Sequence, residues 1–221
     1  LQDEYVAVLK GVILSYAPDA RIIDITHLIP PQGIGSAAHI LARSYRFFPA
    51  GTIYMVVVDP EVGTNRSILA LAADGQFFVG PDNGVFTPIF DHATSLVVHK
   101  VNVPLKSSQQ NVSSTFHGRD IMAPTAGKLA QGLEIVTLGP TTTTKDCRRL
   151  ENLHCQRLGD SLQGEIVHVD RFGNLSSNVS RQDVESFAGG YEIAICVAGN
   201  LIVPFDAFYA SRTKGTVLAL F

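Results

Sequence analysis

Apolar residues recur every three or four positions near the start of the chain, at Val6, Leu9, Ile13 and Leu14, and predict a helix over 5–16. The apolar run RIIDIT (21–26) follows, then a Pro30-Pro31 loop and a second helix over 36–47. Beyond it, TIYMVVVD (52–59), ILALAA (68–73), QFFVG (76–80) and SLVVHKV (95–101) are short and continuously apolar. That is the pattern of strands covered on both faces. A helix over 119–131 closes the series near Gly132. The alternation predicts an α/β domain over 1–140, a central sheet flanked by helices.

The pattern then changes. Residues 141–160 hold consecutive threonines, clustered charges and no apolar period, and are expected to form a linker. From 161 to 221 the segments GEIVHVDRFGN, YEIAICVAGN and TVLALF are short β-type runs with Gly or Asn turns, so a smaller all-β domain is expected. A cleft between domains or between subunits is the expected place for a ligand. No internal repeat is visible. The chain opens in a helical pattern and stops in a strand-like one, and is expected to continue beyond both ends.

Composition narrows the function. Of 221 residues 46% are apolar and 17% charged, enough for a sizeable core. Seventeen Lys and Arg against 20 Asp and Glu give a net charge of −3, which excludes a strongly basic nucleic-acid footprint. No run approaches the roughly 18 apolar residues of a membrane span, and no signal-peptide pattern opens the chain. Cys147, Cys155 and Cys196 form neither an even framework nor a C-x-x-C pair, so a reducing, cytoplasmic setting is expected, and the N-x-S sequons at Asn65, Asn111, Asn174 and Asn178 carry no weight.

Several clusters could carry chemistry, each with a plain structural alternative. Gly33-x-Gly35-x-x-Ala38 matches a dinucleotide fingerprint, but Pro30-Pro31-Gln32 separates it from any strand, so a close-packed helix entry is the better reading. In VVVDPEVGTNRS (56–67), Asp59 ends a buried strand, Gly63 permits a turn, and Arg66 returns seven residues later. Such an Asp either serves a ligand at the strand end or caps the turn. Asp82-Asn83-Gly84 suits a type I′ or related turn. His117 precedes Gly118, Arg119 and Asp120, where Asp120 suits a helix N-terminus. Asp170, Asn174 and Asn178 crowd an apolar β region, at turn or bulge positions. No P-loop, H-E-x-x-H or C-x-x-C motif is present, so neither triphosphate hydrolysis nor a zinc site has support.

Taken in order, D-x-Y-V-x-x-x-K-G (3–11), V-V-D-P-x-V-G-T-x-R (57–66), V-G-P-D-N-G (79–84), T-F-H-G-R-D (115–120) and V-D-R-F-G-N (169–174) resemble the S-adenosylmethionine hydrolases, relatives of the fluorinases and chlorinases. The resemblance spans nearly the whole chain. It implies an N-terminal α/β domain, a C-terminal β domain, and a homotrimer that binds S-adenosylmethionine between subunits, as substrate and without a cofactor or metal. The trio that marks the hydrolase branch falls on Asp59, Arg66 and His117. Asp3 matches an acidic position near the substrate, and Asp170 and Asn174 match positions that contact the methionine moiety and the adenine. Glu61 replaces a glycine usual after the D-P pair, with an expected effect on the turn that returns Arg66. The family's opening T-D-x-G strand and its closing adenine-contacting segment have no counterpart in these residues.

The implied reaction is attack of hydroxide on the ribose 5′ carbon, releasing adenosine and neutral methionine. A sulfonium leaves as a thioether and needs no general acid, so the demand falls on the nucleophile. A permanently charged Arg, a His and an orienting Asp suit that task. A halide-using synthase and a non-catalytic S-adenosylmethionine or adenosine-binding module are the alternative readings.

Overall fold

The computed structural model describes residues 3–102, 112–151, 153–191, 193–202, 205–213 and 215–220. Leu1, Gln2, Asn111 and Phe221 lie outside the described residues. Two compact units are present, 1–153 and 154–221.

The first unit opens with helix α1 (Tyr5–Tyr16), as its apolar spacing predicts. Helix α2 (Ile34–Ser44) follows, prolonged by a single 3-10 turn over Tyr45–Phe47. Strands β1 (Ile53–Met55), β2 (Ile68–Ala73), β3 (Gln76–Pro81), β4 (Leu96–Lys100) and β5 (Thr141–Thr142) form one sheet in the order β1-β3-β2-β4-β5. Helix α3 (Thr87–His92) leaves the end of β3. A π-helical turn over Gly118–Met122 leads into helix α4 (Ala123–Ala130), which packs on α1 where Gly127 lets the Tyr16 side chain approach. Among the described residues only the β1–β3 pair is parallel; β2 pairs antiparallel with β3 and β4, so the sheet is mixed.

Strand alternation divides the core into two layers. Leu69, Leu71, Ala73 and Phe78 face α2 and α3, whereas Ile68, Ala70 and Val79 face Ile121, Met122 and Leu129. Phe78 is fully buried, sits opposite Leu71, and stacks on Tyr54 at 4.9 Å between ring centroids and 16° between planes.

Three apolar runs differ from the expectation. The strand expected over 52–59 is regular only over Ile53–Met55; Val56 N–H still donates to the Val79 carbonyl at 2.9 Å, and beyond it the Val58 carbonyl accepts from the Asn83 side chain at 2.8 Å. The run 21–26 has no strand partner among the described residues, and Ile23 is 67% exposed. Residues 216–220 are likewise unpaired as a strand among the described residues; Asp206 N–H donates to the Ala219 carbonyl at 2.9 Å and Thr216 N–H to the Thr213 carbonyl at 3.1 Å.

The Thr-rich stretch has structure of its own. Its first residues form β5 beside β4, and further on Arg148 N–H donates to Asp82 Oδ1 (2.9 Å) and Leu150 N–H to Thr87 Oγ1 (2.9 Å).

The second unit contains the hairpins β6 (Gln156–Leu158) with β7 (Ser161–Gln163), β8 (Ile166–Val169) with β9 (Leu175–Ser177), and β10 (Ile195–Val197) with β11 (Asn200–Ile202). It is not all-β. Helix α5 (Arg181–Ala188) lies between β9 and β10. A reciprocal capping box of Ser180 with Asp183 starts it, and Gly189 in the left-handed region ends it. Those two signals outweigh the β-type surroundings.

Truncating Phe78 to Ala removes the ring that joins Leu71 to Tyr54 and should cost about 3–5 kcal/mol. Urea unfolding measures it; a loss below about 1 kcal/mol would place the core elsewhere.

Candidate active site

The loop after β1 carries Asp59 and Arg66 to one point. Pro60 stops the extended segment, and Asp59 and Glu61 carbonyls accept from Val62 and Thr64 amides at 3.3 and 3.1 Å, closing two successive turns. Gly63 sits at φ +85°, and a Cβ there would run into the Ser114 carbonyl oxygen, so this turn needs glycine twice over. The loop thus lies against the segment that carries His117. Gly118 does the same from the other side, where a Cβ would come within 3.0 Å of Val57 Cγ1. Asn83 braces the loop's beginning, with Nδ2 on the Val58 carbonyl and Oδ1 accepting from Val85 N–H at 3.2 Å. Asp82 and Asn83 keep negative φ and only Gly84 is positive, so this turn is not type I′.

Arg66 donates from Nε to Asp59 Oδ1 at 2.6 Å and from Nη2 to Asp59 Oδ2, a two-pronged pair with both side chains almost wholly buried. The same Nη2 lies 2.9 Å from His117 Nδ1. A guanidinium has no acceptor, so Arg66 donates and Nδ1 accepts. The neutral imidazole therefore carries its proton on Nε2. Burial lowers the His117 pKa below its usual value of 6.5, and the adjacent Arg66 charge lowers it further. Nη1 of Arg66 has no protein partner among the described residues.

The surrounding residues hold this geometry. Asp120 accepts from Ser113 N–H at 2.7 Å and from Arg119 Nε at 2.6 Å, tying down both flanks of His117. Asp120 also lies in the first turn of the helical segment that starts at Gly118, where an acidic residue is expected. Glu61 forms an ion pair with Arg148, away from the backbone of the turn, so its replacement of glycine leaves the turn built on Gly63.

Asp59, Arg66 and His117 thus meet. The other three predicted residues are described each within its own unit. Asp3 is exposed just before α1. Asp170 and Asn174 belong to the second unit, where Asp170 Oδ1 accepts from Phe172 N–H (2.8 Å) and Asn174 N–H (2.9 Å), and Oδ2 from Asn174 Nδ2 (2.8 Å). This closed turn presents Phe172, 76% exposed, which sequence reasoning passed over; an aromatic between Asp170 and Asn174 was its signal. Gly33 caps α2 with Ala37 and Ala38 buried behind it, in keeping with a close-packed helix entry. Among the described residues no group of His, Cys, Asp and Glu is arranged to hold a metal ion.

A buried cation behind a neutral imidazole whose proton is on Nε2 suits an electron-rich oxygen at that N–H. Comparisons give that class of site a family. Residues 1–139 match the SAM hydroxide adenosyltransferase N-terminal domain, and 164–221 match its C-terminal domain. The chain is 37% identical over 197 residues to an (R)-S-adenosyl-L-methionine hydrolase of Salinispora arenicola, covering 88% of this chain and 74% of the relative. It is 35% identical to the enzyme of that name from Thermus thermophilus, over 88% and 78% of the two chains. A fluorinase of Nocardia brasiliensis is more distant, 26% identical over 93% of this chain and 77% of its own length. The crystal structure of an uncharacterized conserved protein from Thermotoga maritima superposes with a TM-score of 0.87 at 31% identity, covering 100% of this chain and 84% of that one. The chain belongs to the SAM hydroxide adenosyltransferase family.

His117 should titrate below 6.5, and Arg66→Ala should raise its pKa by removing a neighbouring positive charge. A pKa lowered on folding favours the folded state above 6.5, and that contribution disappears as pH falls from 6.5 through the folded-state value. NMR titration of the imidazole measures both shifts; a wild-type value above 6.5 would contradict the assigned proton on Nε2.

Proposed function

We propose that this chain hydrolyses S-adenosyl-L-methionine to adenosine and L-methionine, with Asp59, Arg66 and His117 holding the attacking oxygen. The contact of Arg66 Nη2 with His117 Nδ1 carries this reading, since it fixes the imidazole proton on Nε2 and sets a permanent cation behind that donor. Family membership and relatives named as hydrolases support the substrate and the reaction.

Asp59 keeps the guanidinium oriented and offsets its burial. Arg66 stabilises a hydroxide-like oxygen by charge, and His117 adds a directed hydrogen bond. Attack forms the O–C5′ bond as the C5′–S bond breaks, with its electron pair returning to sulfur. Hydroxide and sulfonium neutralise each other on the way, so a water-poor pocket assists the step. His117 does not act as the base here, because its lone pair faces Arg66. This reading needs no metal, the cation being Arg66 itself.

Asp3, Asp170 and Asn174 are proposed as substrate contacts, a role supported by their match to the family motifs. The working form is proposed to be a cytoplasmic homotrimer with sites between subunits. Large apolar side chains left exposed on the first unit, Leu28 at 86% and Phe47 at 87%, support an assembly.

Chromatography of a reaction with purified protein should show adenosine and methionine in equal amounts, unchanged by a chelator and without a 5′-halogenated nucleoside when chloride or fluoride is present. His117→Ala should lower kcat about a hundredfold, as removal of one oxyanion donor does, with KM little changed. Arg66→Lys should recover only part of the rate lost in Arg66→Ala, because an ammonium cannot hold Asp59 with two prongs. Asp170→Ala should instead raise KM. Wild-type rates in both His117→Ala and Arg66→Ala would remove the trio from the chemistry.

Light scattering at micromolar concentration should give three times the chain mass; a fully active monomer would contradict the trimer.

A further inference from the structure

Hydrolysis leaves one proton to dispose of. The water oxygen bonds to C5′, the sulfur keeps the C5′–S electron pair, and a proton departs from the oxygen. The three site residues have no place for it. Arg66 is a permanent cation without an acceptor. His117 Nδ1 is occupied by Arg66, and Nε2 already bears hydrogen. Both Asp59 oxygens accept from Arg66, so protonating this carboxyl would break a buried pair.

Beside Arg66 an open cleft of about 440 Å³ is lined by Glu61, Asn65, Arg66, Asp82, Asp146 and Arg148, among others. Its carboxylates are not equivalent. Glu61 is paired with Arg148, and Asp146 is exposed and accepts from Thr143 Oγ1 at 2.8 Å. Asp82 is 8% exposed, and its backbone N–H donates at 2.9 Å to the carbonyl of Ser67, the residue next to Arg66. Its Oδ1 accepts from Arg148 N–H, while Oδ2 has no protein partner among the described residues.

We propose that Asp82 takes up the proton released at Arg66 and His117, relayed by solvent in this cleft, and passes it to bulk water. The step is a transfer to a carboxylate and out again, so nothing is oxidised or consumed. Burial raises the Asp82 pKa above the usual carboxylate value. Arg148 and Lys100 oppose that shift, and the Cys147 thiol and Asp146 belong to the same electrostatic neighbourhood. This inference rests on the hydrolysis reading.

Asp82→Asn keeps the side-chain shape but cannot carry the proton. In dilute buffer its kcat should fall about a hundredfold, the lower end for a positioned proton-transfer group. Imidazole or phosphate should restore the rate with saturating dependence on buffer concentration, while the wild type stays insensitive. Asp82→Ser, assayed the same way, gives a second reading should the Asn variant fail to fold. A folded variant at the wild-type rate in dilute buffer, or a slow one that no buffer rescues, overturns the inference alone. A wild type that yields no adenosine in any buffer overturns the hydrolysis reading and this inference with it.

Discussion

The pair between Arg66 and Asp59 is the constraint around which the first unit is organised. Burying a guanidinium and a carboxylate together costs several kcal/mol in lost hydration, recovered only when the geometry is near ideal. The chain supplies that geometry by backbone means. Pro60 and Gly63 turn the loop back on itself, Asn83 fixes its first carbonyl, and Gly118 lets the opposite segment close in. Loss of one partner would strand the other charge, at a cost of about 3–5 kcal/mol. The loop is therefore both a structural joint and the seat of the chemistry.

From this pair follows the state of His117. A guanidinium aimed at Nδ1 excludes a second proton there, and burial disfavours the charged ring in any case. An imidazole so held is a hydrogen-bond donor near neutral pH, not a base. The site is thus preorganised for an oxygen that arrives with negative charge or develops an electron-rich lone pair, and the released proton has to leave by another route. Charge, tautomer and the polar cleft beside Arg66 belong to one arrangement.

Much of this was legible in the residues, and the exceptions have physical causes. The helices over 5–16 and 36–47 and strands β2, β3 and β4 announced themselves by period and composition, because burial enforces both. Pairing direction did not, since a continuous apolar strand suits parallel and antiparallel neighbours alike when both faces are covered. Ile23 and Ile25 look like strand residues, but pairing needs a neighbour that local pattern does not supply. Helix α5 was legible in Ser180, Asp183 and Gly189 and was outweighed by the β-rich stretches around it. The seven-residue return from Asp59 to Arg66 was visible as a turn; that His117 completes the set depends on a contact 51 residues away, which only the motif resemblance indicated beforehand. The role of Glu61 could not be read from its own turn, because its partner Arg148 lies 87 residues on.

A crystal structure of the protein with both products bound tests the central claim most directly, because the 5′ oxygen of adenosine marks where the nucleophile stood. The account places that oxygen within hydrogen-bond reach, about 2.7–3.2 Å, of His117 Nε2, with the Arg66 charge behind the imidazole. Adenosine bound with its 5′ oxygen turned away from His117 Nε2 would contradict it.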